Sequence, residues 1–272
     1  TLAGPALPGS ALINDGPVLP PGRESGIFLH ALLEEIALQD LTKCTFEQWF
    51  SQPAVQRRAA ICARHHGFSE EYLPVVLPML YRAFRTPLRV KNQENSLTLE
   101  MEEGVAAGER MQAELSFVYP IPEGFHPLLS ADKETLPAGA DDLPFRAHRG
   151  YIRGLIDLVF EHEGKIYLLD WKSDLLPSYD QARLNSHVEY NYRLQAQLYR
   201  LAVLRLLAVG SEEEYEDRFG GVLYLFIRGL EPPGSGNCFS RGAWFSRPSW
   251  NRVVEEEEML VTRREWGGEV IK

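Results

Sequence analysis

Gly154-Leu155-Ile156-Asp157-Leu158-Val159-Phe160-Glu161-His162-Glu163-Gly164-Lys165-Ile166-Tyr167-Leu168-Leu169-Asp170-Trp171-Lys172-Ser173 is the stretch that decides the fold. Tyr151–Phe160 and Lys165–Lys172 are rich in β-branched, aromatic and leucine residues, and Glu161–Gly164 between them reads as a loop. Together they predict a β-hairpin. With a four-residue loop, Phe160 faces Lys165 and Asp157 lies opposite Leu168. Residues two apart share a face, so Asp157, Asp170 and Lys172 project from one side of the sheet. The carboxylates are then diagonal neighbours, roughly 7–8 Å apart. A loop one residue longer or shorter turns Asp170 to the far face.

Carboxylates on neighbouring apolar strands are costly unless a positive charge sits between them. Lys172 supplies one, and a divalent ion would supply more. Mg²⁺ prefers carboxylate oxygen and keeps several waters, one of which can become a nucleophile. A lysine on the same face can orient or deprotonate that water, or steady charge on a phosphate. The plainer reading is a salt-bridged pair on a solvated sheet face.

Outward from the hairpin, residues 1–24 carry four glycines and five prolines without apolar periodicity, and read as a flexible linker. Ser25 offers an N-cap for a helix over about 26–39, with Ile27, Leu29, Leu32, Leu33 and Ile36 along its apolar side. Further helices are expected near 46–66 and 69–86, the second capped by Ser69 and kinked at Pro78. Strands follow at Leu97–Glu100 and Ala113–Tyr119, then a Pro- and Asp-rich loop over 121–147. Beyond the hairpin, a long helical region covers about 179–208, with Leu194, Leu198, Leu201 and Leu204 at helical spacing. Gly221–Ile227 is apolar enough for a central strand buried on both faces. A last helix spans about 248–263. The architecture is α/β: a helical part over 25–92, then a mixed central sheet flanked by helices over 93–272. No phosphate-cradling Gly-rich loop with Lys-Ser/Thr is present, so no ATP site is expected.

The 272 residues carry 28 Lys+Arg against 38 Asp+Glu, a formal charge of −10. An unaided nucleic-acid binder is usually basic, so an anionic substrate here needs a local patch or delivery by another component. Arginine outnumbers lysine 22 to 6, which suits bidentate phosphate contacts or reflects the codon bias of the source genome. No apolar run is long enough for a membrane span. The start at Thr1 carries no secretion pattern and hints at a piece of something longer. Cys44, Cys62 and Cys238 are scattered, which argues against disulfides or zinc and fits a reducing cytoplasm.

Residues 154–160 followed by Leu168–Ser173 resemble the active-site hairpin of the PD-(D/E)XK nucleases, and especially that of the RecB-type nuclease domains. Three further stretches resemble the same domains in the same order. They are Gly26–Glu34, with His30 on a helix, then Leu194–Tyr199, with Gln195 and Tyr199 one turn apart, and Gly220–Gly229, a late buried strand. The likeness runs from about 25 to 260, and implies a restriction-endonuclease-like core. It further implies that His30, Asp157, Asp170 and the main-chain oxygen of Trp171 bind Mg²⁺, with Mn²⁺ as a substitute. Lys172 becomes the catalytic lysine, Glu114 an acidic site residue or a solvent-facing strand residue, and Gln195 and Tyr199 supports of the metal site or DNA strand. Trp171 stands where tyrosine is more usual. The implied activity is that of a DNA exonuclease of the RecBCD type, acting in double-strand-break end processing. Its implied partners are DNA, RecC-like and RecD-like subunits and an upstream helicase part. An AddA-type or stand-alone exonuclease and a non-catalytic DNA-guiding scaffold are the alternatives. Elsewhere, His65, His66 and His162 read as surface residues and Glu255–Glu258 as a solvated helix face. Trp244 and Trp250 read as packing residues or base stackers.

Overall fold

The hairpin forms with a tighter turn than its composition suggests. In the computed structural model, which describes residues 17–35, 44–120, 145–148, 151–234 and 238–261, β5 spans Tyr151–His162 and β6 spans Lys165–Lys172. Glu163 and Gly164 alone make the turn, at φ 49° and 77°. Two consecutive left-handed residues match the twist of antiparallel strands, and glycine takes that conformation without steric cost. The expected loop over 161–164 is thus halved, and the pairs become His162↔Lys165, Val159↔Leu168 and Leu158↔Leu169. Asp157 is not opposite Leu168. Because the change is two residues rather than one, the faces are kept while the pairing slides.

Around this hairpin lies a mixed sheet in the order β3-β5-β6-β7-β8, with β3 at Glu109–Pro120, β7 at Phe219–Phe226 and β8 at Ala243–Ser246. Strand β4, Phe145–His148, also pairs with β5. Among the described strands of this sheet only β6 and β7 pair in parallel, so the chain must cross over between them. It does so through α5 (Gln181–Asn191), α6 (Arg193–Leu206) and α7 (Glu212–Arg218). All eight residues of β7 are buried, as expected for a parallel strand covered on both faces. A separate ribbon pairs β1 (Leu88–Lys91) with β2 (Thr98–Met101).

One face of the sheet packs on the N-terminal helices α1 (Arg23–Glu35), α2 (Phe46–Phe50), α3 (Pro53–His65) and α4 (Leu73–Arg85). In α4, Val76, Leu77, Leu80, Tyr81 and Phe84 are buried at helical spacing, and Phe84 meets the Trp171 ring edge-on at 4.9 Å. The other face packs on α5, α6 and α8 (Trp250–Val261), with Leu168, Val222, Tyr224 and Phe226 pointing that way.

Several boundaries differ from expectation. The first helix begins at Arg23, so Ser25 is a buried helical residue rather than a cap. Gln52 and Pro53 divide the region 46–66, since proline favours the first turn of a new helix. Ser69 does cap, but a 3₁₀ turn over Glu70–Tyr72 that leads into α4. Most of the expected linker and of the 121–147 loop lies outside the described residues. The linker's last part is tied down. Leu19 is buried in the core, and Arg228 donates to the carbonyls of Leu19, Pro20 and Ser173 at 2.9, 2.9 and 2.7 Å.

Candidate active site

The strands of the hairpin part company at Asp157. The last registered pair is Leu158↔Leu169. One step on, the Asp157 carboxylate accepts the Trp171 main-chain N–H at 2.8 Å, standing in for a ladder carbonyl. Strand β5 also changes faces here. Ile152 and Ile156 pack towards α6, whereas Leu158 and Phe160 pack towards the N-terminal helices, though all four are even-numbered. Opposite, between the pairs Ala113↔Leu158 and Leu115↔Ile156, Glu114 has φ 51°. A left-handed residue inside a strand breaks its two-residue alternation, and such irregularities collect at functional sites. The expectation of one shared face therefore holds for Asp170 and Lys172. Asp157 stands at the reversal, and its carboxylate lies 3.5 Å from Nδ1 of His30 on α1.

Asp170 and Lys172 face α6 and are buried, at 5 % and 6 % exposure. The Lys172 ammonium lies 2.7 Å from an Asp170 oxygen and donates to Gln195 Oε1 at 2.7 Å. Gln195 in turn donates to the other Asp170 oxygen at 3.0 Å and meets the Tyr199 hydroxyl at 2.9 Å. Tyr199 donates to the Leu155 carbonyl at 2.6 Å, so α6 is tied to β5 beside the reversal. Gln195 and Tyr199 are one turn apart and share a helix side, as their spacing requires. The Tyr192 and Tyr224 rings complete the surroundings of the ammonium, with centroids 3.7 and 4.7 Å from Nζ.

The far side of Asp157 is acidic. His30, Glu34, Glu114 and Asp157 line a cavity of about 20 Å³ with Leu33, Phe84 and Trp171, room for one water-sized particle. Glu34 shares a hydrogen bond with Glu114, and its carboxyl, on a largely exposed side chain, is pushed up to about 7 by partial desolvation, then by that bond and the Glu114 charge. Asp170 is pushed up to about 6, chiefly by burial and then by Asp157, against the opposing pull of Lys172. Burial alone would lower the His30 pKa, but the bond to Asp157 and the two aspartate charges carry it above its ordinary value. This excess of negative charge, with imidazole nitrogen and carboxylate oxygen as donors, fits a hard divalent cation. The side chains do not close on one point: among the described residues no three of His, Cys, Asp and Glu are placed to hold an ion. The expected ligand set is split, with His30 against Asp157 and Asp170 turned to Lys172 and Gln195.

The structure thus gathers Asp157, Asp170, Lys172, His30, Gln195 and Tyr199, with Glu114 at the edge of the same cavity. Sequence reasoning passed over Glu34, Tyr192, Tyr224, Asp174 and His187. The Glu34 and His30 spacing of four on one helix was the available clue. The His65 and His66 rings meet edge-on at 4.9 Å, and His162 Nε2 lies 3.4 Å from the Glu100 carbonyl. Trp244 stacks on Tyr224 and Trp250 packs against the core, so both serve packing. Glu255–Glu258 is not wholly solvated, because Glu256 is buried against Arg200 and Gln197.

Comparison with known proteins gives the family. Residues 13–267 match the family described as the PD-(D/E)XK nuclease superfamily. The RecBCD enzyme subunit RecB of Escherichia coli (strain K12) is 31% identical over 271 residues, which cover 93% of this chain and 21% of that protein. The RecB subunits of Haemophilus influenzae and Borreliella burgdorferi are 30% and 27% identical over 90% and 89% of this chain. This chain spans about a fifth of the length of these relatives. With the family matched over nearly its whole length and the aspartates and lysine standing at the splayed end of one hairpin, this chain belongs to the PD-(D/E)XK nuclease superfamily.

Proposed function

We propose that this chain is the Mg²⁺-dependent DNA exonuclease domain of a RecBCD-type helicase–nuclease, working on broken DNA ends in recombinational repair. The observation that carries the reading is the placement of Asp157, Asp170 and Lys172 where β5 and β6 separate, with Asp157 on the Trp171 N–H and Lys172 held by Asp170 and Gln195. His30, Asp157, Asp170 and the main-chain oxygen of Trp171 would hold the ion, and Mn²⁺ would substitute. A divalent ion so bound neutralises charge on the phosphate and makes a bound water more acidic. Lys172 orients or deprotonates the attacking water, or steadies charge on the phosphate. Gln195 fixes Lys172 and Asp170 relative to each other, and Tyr199 fixes Gln195. Glu114 adds negative charge beside His30 and Asp157.

A non-catalytic scaffold is a poorer account, because a buried Asp–Lys pair costs desolvation that apolar packing would avoid. RecC-like and RecD-like subunits and an upstream helicase part would deliver the strand, in the cytoplasm. The test is degradation of linear duplex DNA by the chain. Mg²⁺ or Mn²⁺ should support it, and Ca²⁺ should bind while supporting little. Full activity in excess EDTA would sink the metal mechanism.

A further inference from the structure

Tyr192 stands where a helix ought to continue. Leucines at helical spacing run through this region, yet Tyr192 closes α5 and opens α6 with φ −129° and ψ 0°, outside helical geometry. The break brings its ring to 3.7 Å from the Lys172 ammonium. Its hydroxyl donates to both oxygens of Asp174, at 2.9 and 3.0 Å. Asp174 is held in turn. His187 Nε2 lies 2.9 Å from one of its oxygens, and the Tyr179 hydroxyl donates to its carbonyl at 2.9 Å. Asn191 Nδ2 is 3.1 Å from His187 Nδ1. One neutral tautomer satisfies both contacts, with the proton on Nε2 facing Asp174 and Nδ1 accepting from Asn191.

We propose that Tyr192, anchored by Asp174 and His187, is a positioning residue for the Lys172 ammonium. Two of the three ammonium protons have partners in Asp170 and Gln195. The Tyr192 ring closes the remaining side, and a cation is attracted to an aromatic face most strongly where water is excluded. Lysine's four-carbon stem leaves its head free to wander unless it is enclosed. Tyr224 stands behind, edge-on to Tyr192 at 5.8 Å, with its hydroxyl on Gln195. Packing alone does not account for Tyr192, since a leucine in an unbroken helix would fill space without a half-buried ring or a charged anchor. The inference rests on the reading of Lys172 as the group that serves the attacking water.

The experiment uses the full chain with Mg²⁺ and linear DNA. Tyr192→Leu should lower kcat roughly 10- to 100-fold with KM nearly unchanged. Tyr192→Phe, which keeps the ring, should recover most of that loss. Asp174→Leu, which frees the hydroxyl but leaves the ring, should resemble Tyr192→Phe rather than Tyr192→Leu. A second readout needs no variant to fold. In protein labelled with ¹³C-lysine, the Lys172 ε-methylene signal should lie upfield through the ring current. Parental kcat in Tyr192→Leu, a loss carried by KM, failure of Tyr192→Phe to restore kcat, or an unshifted Lys172 signal would overturn the inference. If Lys172→Ala itself cleaves at the parental rate, the nuclease reading fails and takes this one with it. Should Lys172→Ala be inactive while Tyr192→Leu matches the parent, only the positioning role is lost.

Discussion

At the scale of single residues, the site is a set of charges placed where charge is costly. Asp170 is a buried carboxyl raised to about 6, chiefly by burial; its removal relieves repulsion with Asp157 when no ion is bound but takes the carboxylate partner from the buried Lys172 ammonium. Asp170→Ala should cut DNA cleavage by several orders of magnitude with an unchanged far-ultraviolet circular dichroism spectrum. Lys172→Ala should keep divalent-ion affinity, measured calorimetrically, while losing rate. Parental cleavage by either variant would show that the site is wrongly assigned. Glu34 offers a pH test. Its folded value of about 7 lies above the 4.5 of the unfolded chain, so the folded state holds an extra proton between those values. The contribution to stability is therefore full below about pH 4.5 and is lost as pH rises through about 7. In EDTA, the melting temperature of Glu34→Gln should match the parent near pH 4.5 and exceed it at pH 8. An equal gap at both pH values would show that Glu34 and Glu114 do not share a proton.

Elements make these charges meet, and the hairpin turn matters most. Gly164 at φ 77° has open space around a would-be Cβ, so Gly164→Val tests backbone strain alone and should cost about 1–2 kcal/mol in a denaturant melt. An unchanged midpoint would contradict the turn geometry. Much of this level was legible beforehand. Alternation and β-branched content mark β5 and β6, and β6 has the expected bounds. The reversal at Asp157 was not legible, because composition distinguishes neither Asp157 nor Glu114, whose left-handed φ lies opposite it on β3, from their neighbours. The break at Tyr192 stayed hidden for a related reason: Leu194, Leu198, Leu201 and Leu204 keep helical spacing beyond it, and periodicity says nothing about a single residue out of phase. Strands β1 and β8, four residues each, are too short for alternation to declare them. His30 could be singled out only through family resemblance, since a lone helical histidine carries no such message.

For the molecule as a whole, the formal charge of −10 would set the terms of the proposed encounter with DNA. Phosphate binding depends on cations displaced by the protein and weakens steeply with salt. This chain alone should degrade DNA feebly at physiological ionic strength. Adding an upstream region and partner subunits should raise the rate and flatten its salt dependence, because threading substitutes local concentration for affinity. Equal, salt-insensitive activity with and without them would favour a stand-alone exonuclease. The clasp made by Arg228 gives the whole a mechanical side. One guanidinium grips the carbonyls of Leu19 and Pro20 and also that of Ser173, the residue after Lys172. A pull on the chain ahead of Pro17 is taken up first by that grip and by the buried Leu19 side chain. Tension on the entering chain is thus shared with the end of β6, and slack and strain in the one are felt beside Lys172 in the other.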